Sequence, residues 1–381
     1  MKIIESIFVF IGLLFFTVII GFYFLLTGAL HYISLLVVVP ICLFLLYLGL
    51  AFGWLSTKRR NGWFAGIAGV ALVVASIAPI QYHYKMSIPT VDAEVAIYEY
   101  EPFAVDNKVI TPDTDVTLKM TKPLPRLDGA TAMYPLYSAF VQATYPKKTY
   151  IPYDSEVMVN TTPEAYHNLI YGKVDLIFAA APSESQKNVA KMQGLTLNMT
   201  PIGREAFVFF VHHKNSVDNV TLEQVKKIYA GEVTNWNQIG GNIEKIRAFQ
   251  RPADSGSQST LEKIMGNTPI MEAPAEDIAS GMGGIIREVS QYRNYKNAIG
   301  YTFRYYSTEM VDNEDIKLLS IDGIAPTKEN IRNGTYPLTS EFYAVTAGTE
   351  NPNVQVLIDW ILSSEGQALV EKVGYVPVEN N

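Results

Sequence analysis

Three short segments share a composition suited to holding an anion: Asp128-Gly-Ala-Thr-Ala132, Asn160-Thr-Thr-Pro163 and Asp254-Ser-Gly-Ser-Gln258. Each joins a β-rich run to an amphipathic stretch, so each is predicted to begin a helix. The first N–H groups of a helix have no intrahelical partner and stand at the positive end of its dipole, which suits them to negative charge. Glycine lets an anion approach the backbone, and Ser and Thr add hydroxyl donors. One such segment alone is an ordinary helix cap. Arg251, four residues before Ser255, shifts the balance, because a guanidinium grips two oxygens of a tetrahedral anion at once. Charge-assisted bonds contribute about 1.5–3 kcal/mol each, so an Arg with several N–H and hydroxyl donors is expected to reach micromolar binding or better.

These junctions need an alternating scaffold to position them, and the chain after Arg126 has that pattern. Apolar residues at Met133, Leu136, Tyr137, Phe140 and Val141 share one helix face over 133–144. Thr162-Pro163 reads as a helix start, with the Thr162 hydroxyl as cap, and Gly172 ends that helix. Residues 174–181 and 206–211 read as buried strands and 298–305 as a further strand. Helices are expected over 222–230, 259–265, 285–292, 354–362 and 366–373. Such alternation implies parallel sheets covered on both faces, with ligands bound where helix N-termini converge. About 255 residues is large for one core, so two α/β lobes are expected.

The remainder of the 381-residue chain differs in kind. Between Ser6 and Thr57, and again between Asn61 and Tyr84, there is no Asp, Glu, Lys or Arg. Runs 7–26, 33–55 and 63–82 are each near the ~20 apolar residues that cross a bilayer. The first is too long for a signal-peptide core, and two more spans follow it. Lys58, Arg59 and Arg60 form the basic cluster beside the spans, which puts that connection and the N-terminus in the cytoplasm and everything after Lys85 outside. No ionisable carboxylate, Lys or Arg lies within the spans, so they read as an anchor in the lipid bilayer of a cell membrane rather than an ion path. Residues 86–125, acidic and Pro-containing, read as a partly ordered linker with strand-like pieces at 94–100 and 116–120.

The net charge of −7 argues against a nucleic-acid partner, which needs clustered cations. The single cysteine, Cys42, lies inside an apolar run, excluding an internal disulfide and a Cys-based zinc site. His212-His213 would project to opposite faces of a strand and cannot chelate together. Neither a cofactor nor a Ser/His/Asp or Cys/His constellation is expected. Gly281-Met-Gly-Gly284 reads as a plain loop-to-helix turn.

The motifs together resemble the phosphate-binding proteins of bacterial phosphate ABC transporters, which have the α/β, two-lobed type II periplasmic-binding-protein fold. The resemblance rests on Gly129-Ala-Thr-Ala-Met-Tyr-Pro-Leu-Tyr137, on Arg251-Pro-Ala-Asp-Ser255-Gly256-Ser257, and on Gly231-Glu-Val-Thr-Asn-Trp-Asn-Gln-Ile-Gly-Gly241 with Ala298-Ile-Gly-Tyr301. Ser363-Ser-Glu-Gly-Gln-Ala-Leu369 and Gly374-Tyr-Val-Pro377 complete it, so that it covers about 126 to 378 and leaves out the three spans.

Together the apolar runs, the acidic stretch and the resemblance divide the chain into a membrane anchor over 1–85, a linker over 86–125 and a binding domain over 126–381. Lobe one is expected at about 126–208 and 340–381 and lobe two at about 209–339. Thr131 and the Ala132 backbone would bind phosphate from lobe one, and Arg251, Ser255, Gly256 and Ser257 from lobe two. A further hydroxyl position falls on Thr161 or Thr162, of which Thr162 is preferred. The family carries an Asp that accepts the proton of a protonated phosphate and so rejects sulfate; counted without gaps from Asp175, that position is Ala180. Loss of such an acceptor costs about 1–3 kcal/mol, and Glu205 and Glu184 are the nearby carboxylates that could replace it. The implied function is a tethered solute-binding protein, not an enzyme, that passes inorganic phosphate to an ABC permease. The alternative is a sensor that reports phosphate or another oxyanion, such as sulfate, through its membrane helices.

Overall fold

The computed structural model describes residues 1–87, 90–91, 97–272, 292–293, 296–310 and 316–378. Its contacts divide the chain into two units, Met1–Pro89 and Thr90–Asn381.

In the first unit, α1 (Lys2–Thr27), α2 (Ile33–Ala51) and α3 (Lys58–Ser87) are long and apolar enough to cross a membrane. Their outward side chains are almost all hydrophobic; Phe8, Phe15, Leu26, Ile67 and Val73 are each more than 60% exposed. Polar ties hold the helices to one another. Lys2 Nζ donates to the Ala51 carbonyl at 2.7 Å, and Ser34 Oγ to the Ala75 carbonyl at 2.7 Å. The second run is shorter than its expected extent of 33–55. Gly53 turns with φ 73°, and the Leu55 N–H folds back onto the Gly49 carbonyl at 3.0 Å.

The second unit is an α/β domain on a seven-stranded sheet. Its strands are β1 (Leu127–Gly129), β2 (Leu176–Ala179), β3 (Asn198–His212), β4 (Arg247–Ala248), β5 (Ala298–Phe303), β6 (Ile316–Leu318) and β7 (Thr339–Thr346). The order is β1-β2-β7-β3-β5-β4, with β6 also on β3. The sheet is mixed, which corrects the expectation of parallel sheets. β1/β2 and β4/β5 are parallel, whereas β7 runs antiparallel to both β2 and β3, and β5 and β6 run antiparallel to β3. The reason is the 15-residue β3, which belongs to both lobes. Its first half pairs with β7 (Asn198↔Thr346 to Ala206↔Thr339) and its second half with β5 (Phe207↔Phe303 to Val211↔Ile299). Each lobe thus supplies a neighbour to the shared strand, and both of these neighbours, β7 and β5, run against it.

Two cores flank it. One gathers Leu127, Tyr137, Phe140, Phe178, Phe342, Leu357 and Tyr375. The other gathers Phe207, Phe209, Tyr229, Trp236, Leu261, Ile299 and Tyr301. Helices α4 (Tyr134–Thr144), α5 (Thr162–Ile170), α6 (Glu184–Met192), α7 (Leu222–Tyr229), α8 (Gly256–Met265), α9 (Lys328–Arg332), α10 (Asn353–Leu362) and α11 (Ser364–Val373) cover the sheet. Most of them fall where the 3.6-residue pattern placed them. The helix expected over 285–292 and the turn at 281–284 fall outside the described residues, apart from Tyr292, which pairs in extended form with Val91.

The stretch read as a linker packs onto the first core. Tyr100, Val109, Val116, Met120 and Leu124 are buried there. Neither strand-like piece pairs as one. Ile97–Tyr100 is a short 3-10 turn, with 94–96 outside the described residues. Around 116–120 the backbone is tied singly, Met120 N–H to the Thr144 carbonyl at 2.7 Å and Thr117 N–H to Glu365 Oε2 at 3.0 Å. Alternation there reflects side chains plugged into a core surface rather than a ladder. The two histidines differ likewise from expectation. β3 ends at His212, so His213 lies in a turn and the rings stack with centroids 4.5 Å apart.

Asp128, in the middle of β1, is fully buried and joins three segments. Its Oδ1 accepts from the Gly129 N–H at 2.8 Å, and its Oδ2 accepts from Asn160 Nδ2 and Asn168 Nδ2, both at 2.9 Å. Burial raises its carboxyl, opposed by the Asn168, Asn160 and Gly129 bonds. Asp128→Ala leaves three donors, two of them buried, without that acceptor and is expected to destabilise the domain by about 3 kcal/mol, read from chemical denaturation of the purified chain. Gly366 sits where a Cβ would lie 2.3 Å from the Trp360 carbonyl oxygen and 2.4 Å from that of Ile361. Gly366→Ala therefore has to separate α10 from α11, and thermal unfolding should show a loss of about 2 kcal/mol or more.

Candidate functional site

Three helix starts meet at one cavity. The first follows β1: Ala130 N–H bonds the Phe178 carbonyl at 2.9 Å, and a 3-10 turn, Thr131–Met133, leads into α4. Gly129 is required here, since a Cβ would stand 2.6 Å from the Phe178 carbonyl oxygen and 2.8 Å from the Tyr137 ring. The second is the start of α5. Its cap is Thr161, whose Oγ1 accepts from the Glu164 N–H at 3.4 Å, and not Thr162 as the Thr-Pro pattern suggested. The one-residue difference matters, because it releases the Thr162 hydroxyl from capping. The third is α8, capped by Ser255, whose Oγ accepts from the Gln258 N–H at 3.3 Å. Ser255 keeps its own O–H free to donate.

The cavity has a volume of about 80 Å³. Sites for drug-sized ligands run to about 300–1,000 Å³, so this one suits a group of a few heavy atoms. All seven residues singled out from the sequence, Thr131, Ala132, Thr162, Arg251, Ser255, Gly256 and Ser257, line it. Thr161, Thr302, Phe303 and Tyr306 line it as well. Thr302 and Phe303 follow the Ala298-Ile-Gly-Tyr301 motif directly, which was the available signal for them.

The lobes touch at this point. A Cβ on Gly256 would lie 3.0 Å from Thr162 Oγ1 and 3.5 Å from the Ala180 Cβ, so only a glycine lets α8 approach the opposite lobe this closely. Asp254 holds a left-handed φ of 63° and reaches across. Its Oδ1 accepts from Ser183 Oγ at 2.7 Å, and its carbonyl from Gln186 Nε2 at 3.3 Å.

Arg251 is the cation of the site. Its backbone N–H is shared between the Tyr301 hydroxyl at 3.0 Å and Gln258 Oε1 at 3.1 Å, and the Tyr301 hydroxyl itself bonds Gln258. That triangle fixes the start of the side chain. Among the described residues no carboxylate forms an ion pair with the guanidinium, and its buried Nε has no hydrogen-bond partner in the protein. Burial pulls the group below its ordinary value, with Tyr306 and Tyr301 opposing. A buried cation without a paired carboxylate is the electrostatic complement of a bound anion. Among the described residues no cluster of His, Cys, Asp and Glu could hold a metal.

Comparison with known proteins bears on the fold and family. A sequence profile described as the PBP superfamily domain matches residues 123–365. The phosphate-binding protein PstS of Bacillus subtilis is 29% identical over 163 residues, 42% of this chain and 51% of that protein. PstS of Borreliella burgdorferi is 28% identical over 188 residues, 47% of this chain and 66% of that protein. The chain thus spans between about half and two-thirds of the length of these relatives. Among solved structures, a putative phosphate ABC transporter substrate-binding protein from Clostridium perfringens, with bound phosphate, aligns with a TM-score of 0.51 at 26% identity. The alignment covers 66% of this chain and 98% of that one. With two lobes on one mixed sheet and a profile match over most of its length, the chain belongs to the PBP superfamily.

Proposed function

We propose that this chain is a membrane-tethered, extracytoplasmic solute-binding protein that takes up inorganic phosphate for delivery to an ABC permease. The observation that carries the reading is the Arg251 guanidinium, largely desolvated and lacking a carboxylate partner among the described residues, in a cavity also lined by three helix starts. Thr131 and the Ala132 N–H would hold the anion from lobe one together with Thr162. Arg251, Ser255, and the N–H groups of Gly256 and Ser257 would hold it from lobe two. The names of the relatives support phosphate as the anion. Lobe one is taken as about 126–208 and 340–381, and lobe two as about 209–339.

Tethering is supported by the three apolar helices. The basic cluster at Lys58–Arg60 supports an orientation with the N-terminus inside and the binding domain outside.

Calorimetric titration of the full chain in detergent tests the binding claim. Inorganic phosphate is expected to bind the wild type, and Arg251→Ala to weaken binding at least a hundredfold, since two charge-assisted bonds of about 1.5–3 kcal/mol are lost. Absence of phosphate binding by the wild type refutes the reading. For the tether, the chain should stay in the membrane fraction after alkaline carbonate extraction, and protease added to intact protoplasts should digest the C-terminal domain. Protection of that domain in sealed protoplasts would reverse the orientation.

A further inference from the structure

Among the described residues no carboxylate lines the anion cavity. The two read from the sequence as neighbours of Ala180 both stand apart from it. Glu205 borders a separate space of about 30 Å³, and the Glu184 side chain is 83% exposed and bonded to Lys187 Nζ at 2.7 Å. Asp254 adjoins the donor residue Ser255 in sequence, and it too is absent from the cavity wall. A carboxylate next to the donors of an anion site works against the anion. Its backbone is costly as well, with φ at 63°, a left-handed value that glycine adopts without strain. A residue kept against both penalties points to another role.

The contacts of Asp254 supply one. Its Oδ1 accepts from Ser183 Oγ at 2.7 Å, and its backbone carbonyl accepts from Gln186 Nε2 at 3.3 Å. Ser183 and Gln186 form the buried capping box of α6, on the opposite lobe. Within that box Ser183 Oγ accepts from the Gln186 N–H at 3.1 Å, and Gln186 Oε1 accepts from the Ser183 N–H at 2.9 Å. The box thus occupies an acceptor on each side chain. It leaves the Ser183 O–H and the Gln186 amide N–H to donate outward, held in direction by lobe one itself. The start of α6 is also the positive end of its dipole, which favours the Asp254 carboxylate there. Both bonds join protein to protein and use no donor of the cavity.

We propose that Asp254 is a positioning residue for the anion, latching the donor segment Ser255–Ser257 to the α6 cap so that a bound anion is released only when the latch opens. This rests on the reading of the cavity as an oxyanion site. An anion held by Thr131 and Thr162 from one lobe and by Arg251 and Ser255 from the other leaves when the lobes separate. Separation breaks the Ser183 and Gln186 bonds together with the close approach of Gly256 to Thr162. The latch therefore acts on the rate of dissociation.

The experiment is release of radiolabelled phosphate from the full chain in detergent, chased with excess unlabelled phosphate. Two variants separate the latch from the charge. Asp254→Asn removes the charge, keeps an oxygen that accepts from Ser183, and tolerates the left-handed backbone. Asp254→Gly removes charge and oxygen alike and suits that backbone better still. Release from Asp254→Asn is expected at the wild-type rate or slower. Release from Asp254→Gly is expected about fivefold faster than from Asp254→Asn, the size of one hydrogen bond. Ser183→Ala should also speed release, yet add little on top of Asp254→Gly, because both remove the same bond. A merely structural role would lower the unfolding midpoint without that pattern in the rates. Equal release from Asp254→Asn and Asp254→Gly would overturn the proposal, as would a Ser183→Ala effect undiminished by Asp254→Gly. Should Asp254→Gly fail to fold, Ser183→Ala in the wild-type chain decides, and an unchanged rate there overturns it. A wild type that binds no phosphate removes instead the function on which the latch rests.

Discussion

Taking a guanidinium out of water costs several kcal/mol unless oxygen atoms replace the lost hydration. In this protein the replacement does not come from a carboxylate among the described residues, and the rest of the site is arranged around that fact. The Arg251 backbone is held by Tyr301 and Gln258, so the charge cannot relax away from the cavity by moving its chain. Gly256 lets lobe two press against Thr162 and Ala180. The outcome is a positive charge among helix N-termini, whose dipoles have the same sign. No carboxylate among the described residues pairs with that charge, and on the proposed reading a small anion does.

Two buried carboxyls of the domain have contrasting surroundings. Asp128 is saturated by Gly129, Asn160 and Asn168, and acts as a structural knot that sets the first and second helix starts side by side. Glu205 receives two backbone N–H groups and otherwise borders a space.

β3 gives these local arrangements a common frame. Because one strand carries both lobes, Glu205 lies close to where its pairing passes from β7 to β5, and the cavity sits over the join. Residues 97–125 extend the first core instead of hanging free, so the binding domain starts before the motifs that resemble its relatives. The three apolar helices obey a different rule. Their outward surface has no protein cover in their own unit, and lipid is the solvent that such a surface suits.

Much of the site was legible in the residues themselves. Helix starts are local events, in which a hydroxyl or glycine, a few free N–H groups and a following apolar stripe lie within one turn of each other. Hence the segments at 128–132, 160–163 and 254–258, and the Arg251 spacing, could be read without coordinates, as could the three apolar spans. Local pattern failed where one residue of register decides the chemistry, as at Thr161 and Thr162, and where alternating apolar residues plug into a core instead of pairing, as at 116–120. It also could not choose between Glu184 and Glu205, since both are carboxylates of unremarkable sequence context. Tertiary structure separates the two through long-range contact. The pairing of β3 with β7 and β5 buries Glu205 beside a small cavity, while α6 presents Glu184 to solvent, and burial of that kind is a property no neighbouring residue encodes.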